Sequence, residues 1–382
     1  MFRKNGRMKT IIRTFLVAPF FCSAVHIACA ADISGPLQPT TGPGGQSYAH
    51  SNVTKMVVGS GPSGYCLFEP AGPKPETAPL IVFLHGWAGT NPAVYGGWIE
   101  HLVRRGNIVI YPFYQIEGKF RYPPGEVTAN AVRAVGQAIA ELNTLGHVRP
   151  DLGRFALVGH SAGGMVSINL AVAAADSALP AIPKAVMAVQ PGKSSTKRGR
   201  PVIPLEDLGK LPASVYLLAV TGDKDRVVKE EDARRIISDS IHVPATHKNF
   251  VRLISDDHGS ESLSADHFAP LAYRSEYHLD TDTASVSTPR KFPSPEITTQ
   301  QTQSRFRRDR ARVRKSSASI NPRQRTDALD FYGTWKLFDG LLECAFYQRE
   351  CQFALGNSRE QKFMGVWSDG VPVKELIISP AV

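Results

Sequence analysis

Leu157-Val158-Gly159-His160-Ser161-Ala162-Gly163-Gly164 is the stretch from which the rest of the chain is placed. Apolar Phe155 to Val158 stops at Gly159, as a buried strand does. Ala162 to Ala175 is rich in Ala and carries Met165, Ile168, Leu170 and Val172, a composition that suits a buried helix. Between them, Gly-x-Ser-x-Gly predicts a sharp strand-to-helix turn. Gly159 and Gly163 bring no Cβ into it, and Ser161 stands above the sheet edge at a helix N-terminus, where backbone N–H groups favour a developing oxyanion. Five residues alone fit an ordinary Gly-rich turn equally well, so the flanks must decide.

Outward from this turn, strands and helices alternate. Leu80 to Leu84 is a continuous apolar run of the kind found in a central parallel strand, and it ends in His85-Gly86-Trp87-Ala88-Gly89. Asn91-Pro92 then opens a helix, with an N-cap and a Pro in the first turn. Ile108 to Tyr111 is a strand, and Ala131, Val135, Ala138, Leu142 and Leu145 fall at helical spacing. Ala185 to Val189, Val215 to Val220 and Phe250 to Ile254 are further strands, with a helix over 230–240. Val53 to Val58 and Tyr65 to Phe68 read as edge strands joined by a Gly/Ser/Pro turn. This alternation predicts a mostly parallel central sheet flanked by helices.

The ends and one insertion depart from that pattern. Residues 1–30 have the form of a secretory signal: basic Arg3, Lys4, Arg7, Lys9 and Arg13, an apolar stretch, and Ala28-Cys29-Ala30 as a cleavage site. The apolar run is shorter than the ~20 residues of a spanning helix. Export to the periplasm or medium is therefore expected. Residues 31–50 are polar and Gly/Pro-rich, a flexible lead-in to a core over 51–279. Residues 280–326 lack the apolar content to form a core and read as a disordered basic insertion. Order returns over 327–382, where Leu329, Tyr332, Trp335, Phe338, Leu341 and Ala345 define an amphipathic helix. Val373 to Ile378 is a candidate closing strand.

The formal charge of +10 contains +5 from residues 1–30 and +8 from residues 305–325, which leaves −3 for the remainder. The folded body is thus not a basic nucleic-acid binder. Residues 305–325 offer contact with an anionic envelope or polyanion, or act as a plain solvated linker. Cleavage after Ala30 leaves Cys66, Cys344 and Cys351. In an oxidising compartment Cys344 and Cys351 can pair across a short loop, with Cys66 a buried free thiol. No Cys/His spacing resembles a structural metal site, and no cofactor is expected.

A serine hydroxyl needs a base, and the base needs an orienting carboxylate; in a parallel sheet both belong just past strand carboxyl ends. Strand 215–220 runs into Thr221-Gly222-Asp223-Lys224-Asp225-Arg226-Val227-Val228, and strand 250–254 into Ser255-Asp256-Asp257-His258-Gly259. Among eleven histidines, His258 and His267 compete as the base. His258 is preferred because it lies four residues past Ile254.

With the nucleophile turn, the His85-Gly86 loop, the acid loop 222–228 and His258, the chain resembles the α/β-hydrolase superfamily over nearly all of 50–275. It is closest in type to secreted serine esterases and lipases. The resemblance implies that Asp225, rather than Asp223, is the acid, with Asp223 bracing the turn. It also implies an oxyanion hole from the backbone N–H groups of Trp87 and Ala162. Trp87 replaces the small residue often found after His-Gly; cutinase-like polyester hydrolases carry an aromatic there that lines the acyl site. Ser161 excludes the Asp- and Cys-nucleophile branches of the fold. The polar stretch 190–213 is the only room for a lid, so no large lid domain and an open cleft are expected. These features imply a secreted hydrolase of small or polymeric carboxylic esters. A serine peptidase of the same fold, or a non-catalytic binding protein on that scaffold, are the alternatives.

Overall fold

The computed structural model describes residues 1–2, 32–116, 118–119, 121–123, 125–195, 202–279 and 325–379. The signal segment beyond residue 2 and the basic insertion up to residue 324 lie outside the described residues.

From Ile33 onward the chain builds one nine-stranded sheet in the order β1-β2-β4-β3-β5-β6-β7-β8-β9. The strands are β1 (Asn52–Val58), β2 (Tyr65–Ala71), β3 (Thr77–Leu84), β4 (Ile108–Pro112), β5 (Arg149–His160), β6 (Ala185–Val189), β7 (Tyr216–Gly222), β8 (Lys248–Leu253) and β9 (Ile377–Ser379). β4, β3 and β5 to β8 are parallel, whereas β1, β2 and β9 add antiparallel edges. The helices are α1 (Gly96–Arg104), α2 (Glu126–Leu142), α3 (Ala162–Ala175), α4 (Glu231–Asp239), α5 (Trp335–Tyr347), which continues a π-helical turn, Leu329–Thr334, and the single-turn α6 (Arg359–Lys362). Between β6 and β7 the described residues hold only a short 3-10 turn, Leu208–Lys210.

Alternation along the strands sorts the core into two layers. Ile81 and Phe83 face α1 and α5, meeting Trp98, Leu102, Phe338 and Leu341. Leu80, Val82 and Leu84 face the other way, onto α2, α3 and α4. Because both faces are covered, the buried stretches Leu80 to Leu84, Phe155 to Val158 and Ala185 to Val189 are apolar at every position, which is why β3 reads as an unbroken run. α3 is buried on nearly all sides, which an Ala-rich helix permits close to the sheet. Every parallel strand points its carboxyl end to one edge, the edge at which a doubly covered α/β sheet presents its loops.

Two expectations are corrected in detail. The stretch from Ile33 to His50 has no helix or strand, yet it is anchored rather than a loose lead-in. The Gly44 N–H donates to buried Asp339 at 2.7 Å, Ile33 N–H donates to Ser260, and the Tyr48 ring packs on His101. Residues 92–95 form a 3-10 turn before α1, although Asn91 caps it as anticipated, accepting from the Ala93 N–H at 3.1 Å. Cys344 and Cys351 form a disulfide, and Cys66 is a buried free thiol pushed up to about 12 by burial.

Candidate active site

Ser161 occupies the one-residue turn between β5 and α3 at φ 56° and ψ −120°, a backbone region that costs ~1–3 kcal/mol for a non-Gly residue. Neighbouring strand ends hold it there. Its N–H donates to Val189 O at 3.0 Å, and its carbonyl accepts from the N–H groups of Gly164 and Gly192 at 3.0 and 2.8 Å. A Cβ at Gly159 would collide with the Gly163 carbonyl, and one at Gly163 with the Leu84 carbonyl. The two glycines of the motif are therefore steric requirements of the turn. The loop after β3 passes over it: a Cβ at Gly86 would lie 3.3 Å from that of Ser161.

Asp225 stands past the end of β7, where its Oδ1 accepts from the N–H groups of Val227 and Val228 at 2.8 and 3.1 Å. Its other oxygen accepts from His267 Nδ1 at 2.7 Å, and His267 Nε2 lies 2.9 Å from Ser161 Oγ. With Nδ1–H donated to the carboxylate, Nε2 is the acceptor for the serine hydroxyl. All three side chains are buried. Burial by itself raises the Asp225 carboxyl, but the His267 hydrogen bond and charge and the two N–H groups outweigh it, so Asp225 is held below the usual carboxylate range.

His258 does not belong to this cluster, which corrects the preference drawn from its place after β8. Asp256 and Leu263 exchange both backbone hydrogen bonds, at 2.9 and 2.7 Å, and this bridge turns residues 257–262 away from the sheet edge. His258 Nε2 instead meets Asp369 at 2.7 Å, beside Trp367, with about a third of each paired side chain exposed. The chain regains the edge at residues 264–268, where three consecutive carbonyls are gripped. Ala265 O accepts from Lys224 N–H at 3.1 Å, Asp266 O from Gln190 Nε2 at 2.7 Å, and His267 O from His160 Nε2 at 2.9 Å. Asp223 braces the same loop from below: it accepts from the Ser255 hydroxyl at 2.5 Å, which itself accepts from Ala265 N–H at 3.0 Å. Gly222 leaves space for the approach, since its Cβ would collide with Ala265 O.

The loop 85–89 is held as tightly. His85 is sandwiched between Tyr111 and Tyr114, and burial pushes its imidazole down to about 4. The hydroxyls of Tyr114 and Tyr111 donate to His85 O and Gly89 O. The N–H groups of Gly86, Ala88 and Gly89 donate to the Tyr95 hydroxyl at 3.0 Å, Gln115 Oε1 at 3.1 Å and Gly86 O at 3.0 Å. Among the described residues 86–89, the Trp87 N–H alone has no acceptor. Ala162 opens α3, so its N–H has no carbonyl partner one turn back within the helix. The Trp87 indole is half-buried and stacks on Tyr122 at 5.9 Å. Ile116, Val227 and Phe268 are exposed apolar residues on the flanking loops, the last two beside Asp225 and His267 in sequence. Sequence reading passed over Tyr95, Gln115 and Gln190 because each acts from a different element, and only their burial in contact with loop backbone marks them. Among the described residues no group of His, Cys, Asp or Glu side chains is arranged to hold a metal.

Comparison with known families agrees with this architecture. The model of the Chlorophyllase family, serine esterases of the α/β-hydrolase fold, matches residues 45–210. That span includes the loop 85–89 and Ser161 and ends before Asp225 and His267. No curated protein matches the chain. The nine-stranded, mostly parallel sheet with flanking helices is that of the α/β-hydrolase fold, and the family match over residues 45–210 suggests a serine ester hydrolase.

Proposed function

We propose that this α/β-hydrolase cleaves carboxylic esters through an acyl-enzyme intermediate, with Ser161 as nucleophile, His267 as general base and Asp225 as the group that orients it. The observation that carries the reading is the His267 imidazole, bonded to Asp225 at 2.7 Å and to Ser161 Oγ at 2.9 Å. Nε2 takes the serine proton as Oγ attacks the ester carbon, then returns it to the leaving alkoxide; water repeats the sequence to release the acid. Asp225 fixes the tautomer and stabilises the imidazolium that forms between the two transfers. The N–H groups of Trp87 and Ala162 are the donors assigned to the oxyanion, and each such donor is worth ~3 kcal/mol in measured hydrolases. Their positions are rigid before substrate arrives, because every other N–H of the loop 86–89 is bonded elsewhere.

For the substrate, the half-buried Trp87 and the exposed apolar residues Ile116, Val227 and Phe268 favour a bulky apolar ester, as does likeness to a family described as chlorophyllase. The disulfide supports export, since such bonds persist in oxidising compartments, and no described helix is long and apolar enough to cross a membrane. The test is fluorophosphonate labelling together with hydrolysis of a p-nitrophenyl ester series, on wild type and Ser161→Ala. Labelling at Ser161 with ester turnover that Ser161→Ala abolishes is expected. A folded Ser161→Ala variant retaining more than ~1 per cent of turnover would overturn the assignment.

A further inference from the structure

We propose that Tyr95 and His160 are positioning residues that form one buried relay, tying the backbone of the oxyanion loop to the backbone of the loop that carries the base. The inference rests on the reading of Ser161, His267 and Asp225 given above and adds two residues that touch no reacting atom.

The direction of every hydrogen bond in the relay follows from proton counting. The His267 carbonyl can only accept, so His160 Nε2, 2.9 Å away, carries the proton. His160 Nδ1 is then a lone pair, and the Tyr95 hydroxyl at 2.8 Å donates to it. The tyrosine oxygen in turn accepts the Gly86 N–H at 3.0 Å. The sequence Gly86 N–H to Tyr95 O–H to His160 Nε2–H to His267 O=C leaves none of these four groups unpaired. Any other tautomer of His160 would leave two of them facing each other with the wrong polarity.

Both side chains are sealed, at 2% and 3% exposure, so water cannot substitute for either partner. Burial first, and the neighbouring His267 second, push the His160 imidazole down to about 3. It therefore adds no positive charge beside the His267 ring, whose centroid is 4.9 Å away. The relay reaches both parts of the site that must be placed relative to Ser161. Gly86 N–H belongs to the peptide before the one that presents the Trp87 N–H, and the His267 carbonyl is on the residue whose ring bridges Ser161 and Asp225. Gln190 Nε2 donates to the adjacent Asp266 carbonyl and shares the task on one side only. Small displacements of such groups are expensive, since an error of ~1 Å in a reacting geometry costs on the order of 100-fold in rate.

The test uses the full-length protein and three variants. Tyr95→Phe deletes the hydroxyl and keeps the ring against Phe83 and Tyr111. His160→Gln retains an N–H donor toward His267 O, and His160→Leu removes it. On a soluble p-nitrophenyl ester, Tyr95→Phe is expected to lower kcat by ~10-fold with KM within about twofold, and His160→Gln to retain several-fold more kcat than His160→Leu. Nitrogen-15 NMR of the imidazoles gives a readout free of turnover: His160 is protonated on Nε2 in the wild type, and Tyr95→Phe perturbs its Nδ1 resonance. A purely structural role would lower the urea midpoint while leaving kcat of the folded enzyme unchanged, and that result overturns the relay. So does an Nδ1-protonated His160 in the wild type. If the His160 variants do not fold, Tyr95→Phe and the tautomer decide. Wild-type protein that neither labels with fluorophosphonate nor turns over ester would overturn the hydrolase reading itself, which active wild type with unaffected variants would not.

Discussion

His267→Ala and His258→Ala pull apart the two histidines that follow β8. The first deletes the bonds of 2.7 Å to Asp225 and 2.9 Å to Ser161, and leaves a buried carboxylate with only the Val227 and Val228 N–H groups as partners. Removing the base from a serine hydrolase of this kind lowers kcat by ~10⁴–10⁶, with the remaining catalysis supplied by the oxyanion donors and by binding. At 1.36 kcal/mol per factor of ten this is about 5–8 kcal/mol of transition-state stabilisation. His258→Ala breaks an ion pair with Asp369 in which each side chain is about one-third exposed. A pair so exposed is screened by solvent, and it touches nothing in the cluster around Ser161. Hydrolysis of p-nitrophenyl butyrate, at matched protein concentration and with near-ultraviolet circular dichroism to establish folding, separates the two. The expected result is a rate near background for His267→Ala and kcat within about twofold of wild type for His258→Ala. A folded His267→Ala enzyme with more than ~1 per cent activity, or a folded His258→Ala enzyme slowed more than ~tenfold, would refute the assignment of the base.

Burial, with Glu261 nearby, raises the Asp327 carboxyl, and burial and Asp327 itself raise the adjoining Asp330. The folded value then exceeds the unfolded ~3.9, so the folded chain holds extra protons above about pH 4 and loses stability as pH rises through the folded value. Asp327→Asn keeps an acceptor for the Leu329 N–H and removes the charge, and should gain ~1–2 kcal/mol in urea unfolding at about pH 8 but little at about pH 4; equal gains at both would contradict this. The disulfide spans a sequence separation of 7, and a loop that short predicts a loss of ~2 kcal/mol on reduction, with intact mass rising by two hydrogens. No mass change would show the thiols to be free. Arg274 and Tyr277 crowd Gly96 while Ala272 and Thr326 crowd Gly97, so both flanks of residues 280–324 dock at the start of α1. Replacing 280–324 by a short Gly/Ser linker should therefore leave turnover of a small ester unchanged, and lost turnover in a folded variant would refute that.

Local sequence determined the parts of this protein whose chemistry is local. The turn at Ser161 is legible because only glycine clears the carbonyls of Gly163 and Leu84 at positions 159 and 163. Asp225 is legible because its loop leaves β7 directly, and its Oδ1 is held by N–H groups two and three residues on. The parallel sheet follows from apolar runs that must be covered on both faces, and the two layers of the core follow from their alternation. Which histidine meets Ser161 and Asp225 was decided by tertiary structure alone. Distance along the chain favours His258, but the Asp256–Leu263 bridge removes that residue from the sheet edge. His267 returns because donors from the ends of β5, β6 and β7 capture three successive carbonyls of its loop. Those donors are His160, Gln190 and the Lys224 N–H, separated from their acceptors by 41 to 107 residues. No local pattern encodes such a match, because a backbone carbonyl carries no side-chain signature, and only the closed sheet brings the three strand ends to it.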